Sequence, residues 1–323
     1  MNRSCFYYFL IFFLTLPEVE NAQTPGIDQN WQPFFTEEFN GPINWSIWKI
    51  PDWNWQPQRE IWTANNVLTN IQSGYVYFKA NVNSGNGSLY DVGGLMSQNN
   101  SWPYGYYEIK WQLPSDYGRW LSFWIWGGNT TPDGSEEIDM FENHAVNNND
   151  WYMNTHIHLP TSCNPGNGFH AVLPTDLTIG DNIIGIEWTP KVLIFYLNNV
   201  PVKEIFYDGC IPFTRKSIMF ITPGIASNQN PSFLPNYTKV DYVKVYTLKK
   251  NLIDVSITNN TQLTSYLYEV KRNIEFNGQT SPLSVASGTQ PTFRATQGII
   301  ITGDFTVPLG SGITLFTHDE PNN

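Results

Sequence analysis

Four carboxylates stand within an otherwise apolar stretch, GSEEIDMFENH, at residues 134–144. In a regular β-strand the side chains of residues 137, 139 and 141 share one face, which leaves Glu142 on the other. One extra residue in a β-bulge would turn Glu142 back beside Glu137 and Asp139. Carboxylates that converge in this way cannot all ionise freely, so the pKa of at least one of them is expected to rise.

This arrangement meets the requirement of a retaining glycosidase. One carboxylate attacks the anomeric carbon and a second, protonated carboxyl about 5 Å away donates to the leaving oxygen. We assign Glu137 as nucleophile and Glu142 as acid/base, with Asp139 hydrogen-bonded to the nucleophile so that the two protonation states stay apart. Two other interpretations stay open from the spacing alone. They are a solvated acidic strand edge and a calcium loop, although the intervening apolar residues interrupt the alternate oxygen ligands that calcium prefers.

The elements that position this motif are short strand patterns separated by Gly, Pro and Asn, and helical periodicity is almost absent. Many strands without helices predict an all-β fold, a jelly-roll sandwich. Asn198 and Asn199 separate two strand patterns and predict a two-residue hairpin turn. The strand candidates are residues 75–82, 104–114, 121–126, 136–142, 154–159, 182–188, 192–197, 217–222 and 239–246.

Composition narrows the choice of partner. The 323 residues carry 28 Asp and Glu against 17 Lys and Arg, a net charge of −11, which is the wrong sign for binding nucleic acid or anionic lipid. Aromatic residues make up 15% of the chain and include 13 Trp. Such residues fill a core or line a groove for a ligand with apolar faces, and sugar rings have such faces.

The chain divides into three parts. Residues 1–22 contain a short apolar run and resemble a secretory signal peptide, so we expect a secreted protein, extracellular or periplasmic, with no membrane insertion. Residues 23–248 would form the main domain. Residues 249–323 contain no Trp and would form a separate small β-rich module. Cys163 and Cys210 would remain after export, either paired or as two buried thiols.

The motif EIDMFE, residues 137–142, fits the pattern E-[ILV]-D-x-x-E of glycoside hydrolase family 16 in its bulged form. The resemblance extends in the family's order over most of residues 30–248. It includes FFTEEFNG (34–41), YGYYEIKWQLPSDYGRWLSFWIWGG (104–128), IEWTPKVLIFYLNN (186–199) and VDYVKVY (240–246).

The resemblance implies a β-jelly roll with a substrate cleft across its concave face and retaining, endo-acting hydrolysis of β-linked glucans or galactans. Trp120 and Trp124 match aromatics that line the subsites, and either His156 or His158 matches a histidine near the carboxylates. Asp241 matches a ligand of a structural calcium ion on the convex face. No cofactor is implied for the chemistry itself, the expected partner is a polysaccharide, and we expect a monomer.

The sequence is compatible with more than one substrate and more than one activity. A β-1,3-linked or mixed-linkage glucan such as laminarin is the first hypothesis. Sulfated galactans, the substrates of agarase-type, porphyranase-type and carrageenase-type relatives, would favour basic subsites, for which the sequence offers Arg119 and Arg59. A xyloglucan-type transglycosylase would carry its second glutamate at position 141, which is Phe141 here. An inactive carbohydrate-binding protein on the same fold would be expected to lack one carboxylate, and all three are present.

Overall fold

The computed structural model describes residues 30–52, 59–83, 85, 89–99, 101–115, 119–131, 134–143, 147–157, 169–189, 192–206, 217–225, 234–264 and 270–317. The predicted signal peptide, His158, Cys163 and Cys210 lie outside these residues. Within them, no helix has the length and apolarity needed to cross a bilayer.

Strands make up most of the described chain. Those of the first half are β1 (Trp31–Glu37), β2 (Trp48–Lys49), β3 (Glu60–Trp62), β4 (Val67–Leu68), β5 (Val76–Val82), β6 (Tyr90–Val92), β7 (Leu95–Ser97), β8 (Gly105–Gln112), β9 (Arg119–Thr131), β10 (Gly134–Asn143) and β11 (Asp150–Ile157), with a 3-10 turn at Ala64–Asn66. The second half holds β12 (Phe169–Val172), β13 (Asn182–Trp188), β14 (Val192–Leu197), β15 (Val200–Phe206), β16 (Ile218–Ile225), β17 (Asn236–Leu248), β18 (Val255–Ile257), the helix α1 (Asn260–Thr264), β19 (Val270–Ser284), β20 (Thr292–Thr306) and β21 (Thr314–Thr317).

Two sheets pack face to face, as the strand pattern predicts. The ten-stranded sheet has the order β15-β14-β13-β8-β17-β5-β6-β3, with β1 beside β17 and β4 beside β5. The seven-stranded sheet has the order β12-β11-β10-β9-β16-β7-β2. One large apolar core lies between them and is lined from both sides by aromatic side chains, among them Trp111, Phe123, Phe141 and Trp151. The all-β jelly-roll prediction is therefore confirmed.

Local signals in the sequence account for several of these elements. Each of the nine strand candidates overlaps an observed strand. Asn198 and Asn199 connect β14 to β15 with φ values of +47° and +71°, the left-handed conformation that a two-residue turn of this kind requires. The predicted hairpin is confirmed, because Asn tolerates positive φ better than most residues do.

The strand β14, VLIFYL, is apolar at every position because both of its faces are covered. Leu193 and Phe195 belong to the core between the sheets. Val192, Ile194 and Tyr196 belong to a second apolar cluster on the outer side of the ten-stranded sheet. Apolar runs without alternation are characteristic of strands buried on both faces.

The C-terminal residues form a sheet of their own. The strands β18, β19, β20 and β21 lie in this order and pair in parallel throughout. Their own core contains Ile274, Phe276, Phe293 and Ala295. This four-stranded sheet contributes to the cover over β14, since Val270 of β19 belongs to the same outer cluster, together with Trp31 and Leu252.

A buried ion pair joins this C-terminal sheet to the ten-stranded sheet. Arg294 Nη1 of β20 donates to Glu187 Oε2 of β13, and both side chains are at most 1% exposed. Tyr196 Oη donates to the same carboxylate oxygen at 3.0 Å. Gly185, two residues before Glu187, makes room for the ring of Tyr106, because a Cβ there would lie 2.1 Å from Tyr106 Oη.

Candidate active site

The strand β10 contains the predicted bulge. Asp139 lies opposite Trp124 of β9, whereas Phe141 lies opposite the next residue back, Phe123, so that Met140 is the extra residue. Ile138, Met140 and Phe141 all belong to the core between the sheets. Two consecutive residues on one face are the signature of a bulge, and the side chain that follows them must point the other way.

The bulge places Glu142 on the same side of the seven-stranded sheet as Glu137 and Asp139. We call this side, turned away from the core, the carboxylate face. Asp139 is 4% exposed and Glu142 is 7% exposed, while Glu137 is more accessible. Their direct neighbours on β9 are Ser122 for Glu142, Trp124 for Asp139 and Trp126 for Glu137.

Trp120 joins the carboxylate group directly. Its indole Nε1 donates a hydrogen bond of 2.8 Å to Glu142 Oε1, and the ring is partly exposed. A donor directed at a carboxylate stabilises its ionised form. The sequence singled out Trp120 as a subsite aromatic, and the structure brings it into contact with the predicted acid/base.

Trp124 lies on the same face but is held by other partners. Its Nε1 donates to Thr222 Oγ1 at 2.8 Å, and its ring stacks on Phe220 with centroids 4.1 Å apart and planes 12° apart. The side chain is 6% exposed. Trp124 is thus a buried part of the floor beside Asp139 rather than an open platform.

Of the two histidines that the sequence singled out, His156 is the one within the described residues. The backbone of His156 pairs with Glu137 across β10 and β11, and its side chain lies outside the description. A third histidine, His170 of β12, lies on the carboxylate face and is held by Asp150, with 3.0 Å between His170 Nε2 and Asp150 Oδ1. Sequence reasoning missed it because it lies 28 residues beyond Glu142, and only strand pairing brings it near.

Glu60 is another carboxylate that the sequence analysis did not single out. It extends from β3 onto Gly224 of β16, where a Cβ would lie 3.1 Å from each of its carboxylate oxygens. Its Oε2 accepts the Ile225 amide at 2.8 Å. Burial raises the pKa of Glu60 to about 7, although the Ile225 amide and the nearby Arg59 act in the opposite direction. Gly224 lies directly opposite Trp120, so Glu60 adjoins the carboxylate face.

Asp241, the predicted calcium ligand, is engaged by a cation of the protein itself. Lys110 Nζ lies 2.6 Å from Asp241 Oδ2. The same ammonium lies 3.7 Å from Asp181, which also pairs with Lys239. The described residues contain no group of three or more acidic, histidine or cysteine side chains placed to hold a metal ion. The cation beside Asp241 is thus Lys110 in this structure, at the position where the resemblance predicts a calcium ligand.

These features define the class of the protein. The chain belongs to glycosyl hydrolases family 16, which it matches over residues 51–244. The jelly roll with its bulged carboxylate strand is thus the fold of a glycoside hydrolase family.

Individual relatives are distant. The chain is 24% identical to the clotting factor G alpha subunit of Tachypleus tridentatus over 77% of its own length and 38% of that protein. It is 26% identical to the endo-1,3-1,4-beta-glycanase EglC of Rhizobium meliloti over 45% of its own length and 30% of that protein. The chain thus spans less than two fifths of the length of these curated relatives. The laminarinase catalytic domain from Thermotoga maritima superposes with a TM-score of 0.60 at 21% identity, covering 69% of this chain and all of that domain.

Proposed function

We propose that the protein is a retaining endo-β-glycanase that hydrolyses a β-1,3-linked or mixed-linkage glucan. The observation that carries the proposal is the bulge at Met140, which turns Glu142 to the same face as Glu137 beside Asp139. A solvated acidic strand without a catalytic role would not explain this bulge. The bulge brings three carboxylates together and nearly buries two of them, which costs free energy.

The proposed reaction has two steps. In the first, the Glu137 carboxylate attacks the anomeric carbon, the bond from that carbon to the glycosidic oxygen breaks, and the oxygen takes the proton of Glu142. In the second, water gives a proton to Glu142 and attacks the same carbon, which releases the sugar and frees Glu137. Asp139, between the two glutamates, would keep the nucleophile hydrogen-bonded and ionised.

The surroundings of the site favour a neutral glucan over a sulfated galactan. Arg119, one of the two basic residues near the motif, is 2% exposed and donates to Asn148 instead of reaching the carboxylate face. Arg59 lies over the ring of Tyr90, 5.6 Å from its centroid, and near the carboxyl group of Glu60, a neighbour of opposite charge. The curated relative EglC, whose name describes a 1,3-1,4-β-glycanase, supports the same substrate class.

We also propose where the protein acts, its oligomeric state and its cofactor requirement. The apolar run at the N-terminus supports export, so the mature protein would act outside the cell or in the periplasm as a monomer. The chemistry requires no metal or organic cofactor. Cleavage within the polymer, rather than at its ends, is proposed from the family resemblance.

A substrate panel tests the function. Reducing ends released from laminarin, lichenan, agarose and carrageenan would be measured, with the anomeric form of the first product followed by proton NMR. We expect release from the two glucans and a product of β configuration. Release from a galactan alone would favour the agarase or porphyranase type, and binding without release from any of the four would favour a carbohydrate-binding protein.

The variant Glu137→Gln tests the nucleophile. We expect turnover of laminarin to fall by about three orders of magnitude or more, because the amide cannot form the glycosyl ester. Binding of laminari-oligosaccharides, measured by calorimetry, should change little, since the shape of the face is kept. Glu275→Gln, in the C-terminal sheet, is the control. Full turnover in Glu137→Gln would contradict the assignment.

A further inference from the structure

A row of side chains crosses the carboxylate face through Glu142. Pairing between strands places Ser122 of β9, Glu142 of β10, Tyr152 of β11 and His170 of β12 directly beside one another. Tyr152 and His170 point to the carboxylate face because their strand neighbours, such as Trp151 and Phe169, pack into the core. Neighbouring strands lie about 4.8 Å apart, so Tyr152 is the next side chain beyond Glu142 on the β11 side.

Tyr152 and His170 form a stacked pair. Their ring centroids lie 4.4 Å apart and their planes differ by 11°. A spacing so close to the distance between strands means that the two rings stand side by side on β11 and β12. One face of Tyr152 is therefore covered by His170, and its other face is directed toward β10 and Glu142.

Asp150, two residues before Tyr152 on β11, holds the His170 side of this pair. Its side chain is 2% exposed, whereas that of His170 is 43% exposed. Asp150 Oδ1 accepts from His170 Nε2 at 3.0 Å, and Oδ2 accepts from Asn147 Nδ2 at 2.9 Å. A buried carboxylate with both oxygens bonded is a fixed anchor, so the imidazole behind Tyr152 has a defined orientation.

We propose that Tyr152 is the wall of the leaving-group subsite, with His170 and Asp150 as positioning residues behind it. This inference rests on the proposed function, because it takes Glu142 as the group that protonates the glycosidic oxygen. The sugar that leaves with that oxygen must lie next to Glu142. On the β9 side Trp120 already donates to Glu142 and Trp124 is buried, so we place the departing ring on the β11 side, against Tyr152.

The ligand class follows from the chemistry of the wall. A pyranose ring presents axial C–H groups that pack against an aromatic face, and a ring already held upright loses little conformational entropy on binding. The same subsite would accept a second sugar as acceptor, because transfer to a sugar hydroxyl is the reverse of leaving-group departure. Tyr152 is thus expected to determine how well the protein uses a sugar, rather than a smaller group, on this side of the scissile bond.

The experiment compares two substrates with different leaving groups. The leaving group of laminarin is a sugar. The leaving group of β-laminaribiosyl fluoride is fluoride, which leaves the sugar subsite empty. In Tyr152→Ala we expect kcat/KM for laminarin to fall about tenfold, which corresponds to the loss of one aromatic contact. We expect kcat/KM for the fluoride to stay unchanged. Tyr152→Trp should restore most of the laminarin activity. Tyr237→Ala, a partly exposed tyrosine on the opposite sheet, should change neither value.

The positioning role has its own readout. His170→Ala should lower the ratio of laminarin to fluoride activity in the same direction, and the double variant should be no worse than Tyr152→Ala alone, because the histidine acts through the tyrosine. Equal loss on both substrates, or no loss in Tyr152→Ala, would overturn the inference while leaving the hydrolase function intact. A wild-type protein that cleaves neither substrate would overturn the proposed function and the inference with it.

Discussion

The indole of Trp120 forms a hydrogen bond that its residue type alone does not predict. The sequence predicts a sugar-stacking aromatic, and the structure adds a hydrogen bond from its Nε1 to Glu142 Oε1. Trp124, four residues along, has the same side chain but directs its N–H to Thr222. Two tryptophans on one strand face therefore differ in their electrostatic effect on the proposed acid/base, which makes them a matched pair for experiment.

Replacing Trp120 by Phe should shift the pH dependence of catalysis. The indole N–H stabilises the ionised form of Glu142, so its removal should make that carboxyl harder to ionise. Because the acid must be protonated to act, the alkaline limb of kcat/KM against pH should move to higher pH. Trp124→Phe is the control, and an equal shift in both variants would contradict this role.

The ion pair between Lys110 and Asp241 leads to a prediction about calcium binding. Its ammonium supplies the positive charge next to Asp241 for which the family resemblance predicts a metal ion. We expect the midpoint of thermal unfolding to be the same in chelator and in millimolar calcium. In Lys110→Ala the carboxylate loses its partner, and calcium should then raise the midpoint. A calcium-dependent midpoint in the wild-type protein would support the metal prediction for this face.

At the level of strands, the sequence predicted β10 well because its pattern is self-consistent. Carboxylates at 137, 139 and 142 share a face only if a residue is added between them, and the apolar pair Met140 and Phe141 shows where. Tyr152 and His170 could not be found in this way, because their neighbourhood depends on the register of β11 and β12. Only the apolar residues that flank them, Trp151 and Phe169, could have indicated which side they face.

Glu60 links β3 to β16 in a way that depends on pH. The folded protein holds its proton up to about pH 7, whereas the unfolded chain releases it near pH 4.5. The folded state thus binds more protons at Glu60 in this window, and the contribution of Glu60 to stability falls as the pH rises from about 4.5 to 7. Glu60→Gln keeps an oxygen for the Ile225 amide and removes the buried charge.

We therefore expect the free energy of unfolding of Glu60→Gln, relative to the wild type, to increase between pH 4.5 and pH 7 by up to about 3 kcal/mol. Urea titrations at several pH values would measure it. Glu275→Gln serves as the control for the loss of one carboxylate elsewhere. A difference between Glu60→Gln and the wild type that is constant over this range would contradict the assignment.

At the scale of the whole molecule, β14 is covered on both of its faces. The run VLIFYL is apolar throughout, which predicts burial on both faces, and the C-terminal sheet contributes to the second cover. The parallel pairing of β18 to β21 was not predicted, because strand patterns alone do not give direction. The Arg294 and Glu187 pair was equally hidden, since its partners lie 107 residues apart.

Breaking that pair should destabilise the entire protein. Arg294→Met leaves the Glu187 carboxylate buried without its cation, which we expect to lower the free energy of unfolding by about 3–5 kcal/mol. Adding Glu187→Gln should recover part of the loss. Arg272→Met, which removes an exposed pair with Asp254, is the control and should have little effect. Denaturant unfolding gives both values, and equal effects of the two arginine variants would contradict the role of the buried pair.

The C-terminal sheet packs on the outer side of the ten-stranded sheet, whereas the carboxylates lie on the outer side of the seven-stranded one. The thickness of the sandwich therefore separates the two. If residues 255–317 attach the molecule to a cell envelope or an insoluble polymer, the carboxylate face is directed away from that support. A soluble polysaccharide would then reach the carboxylate face more readily than the support itself would.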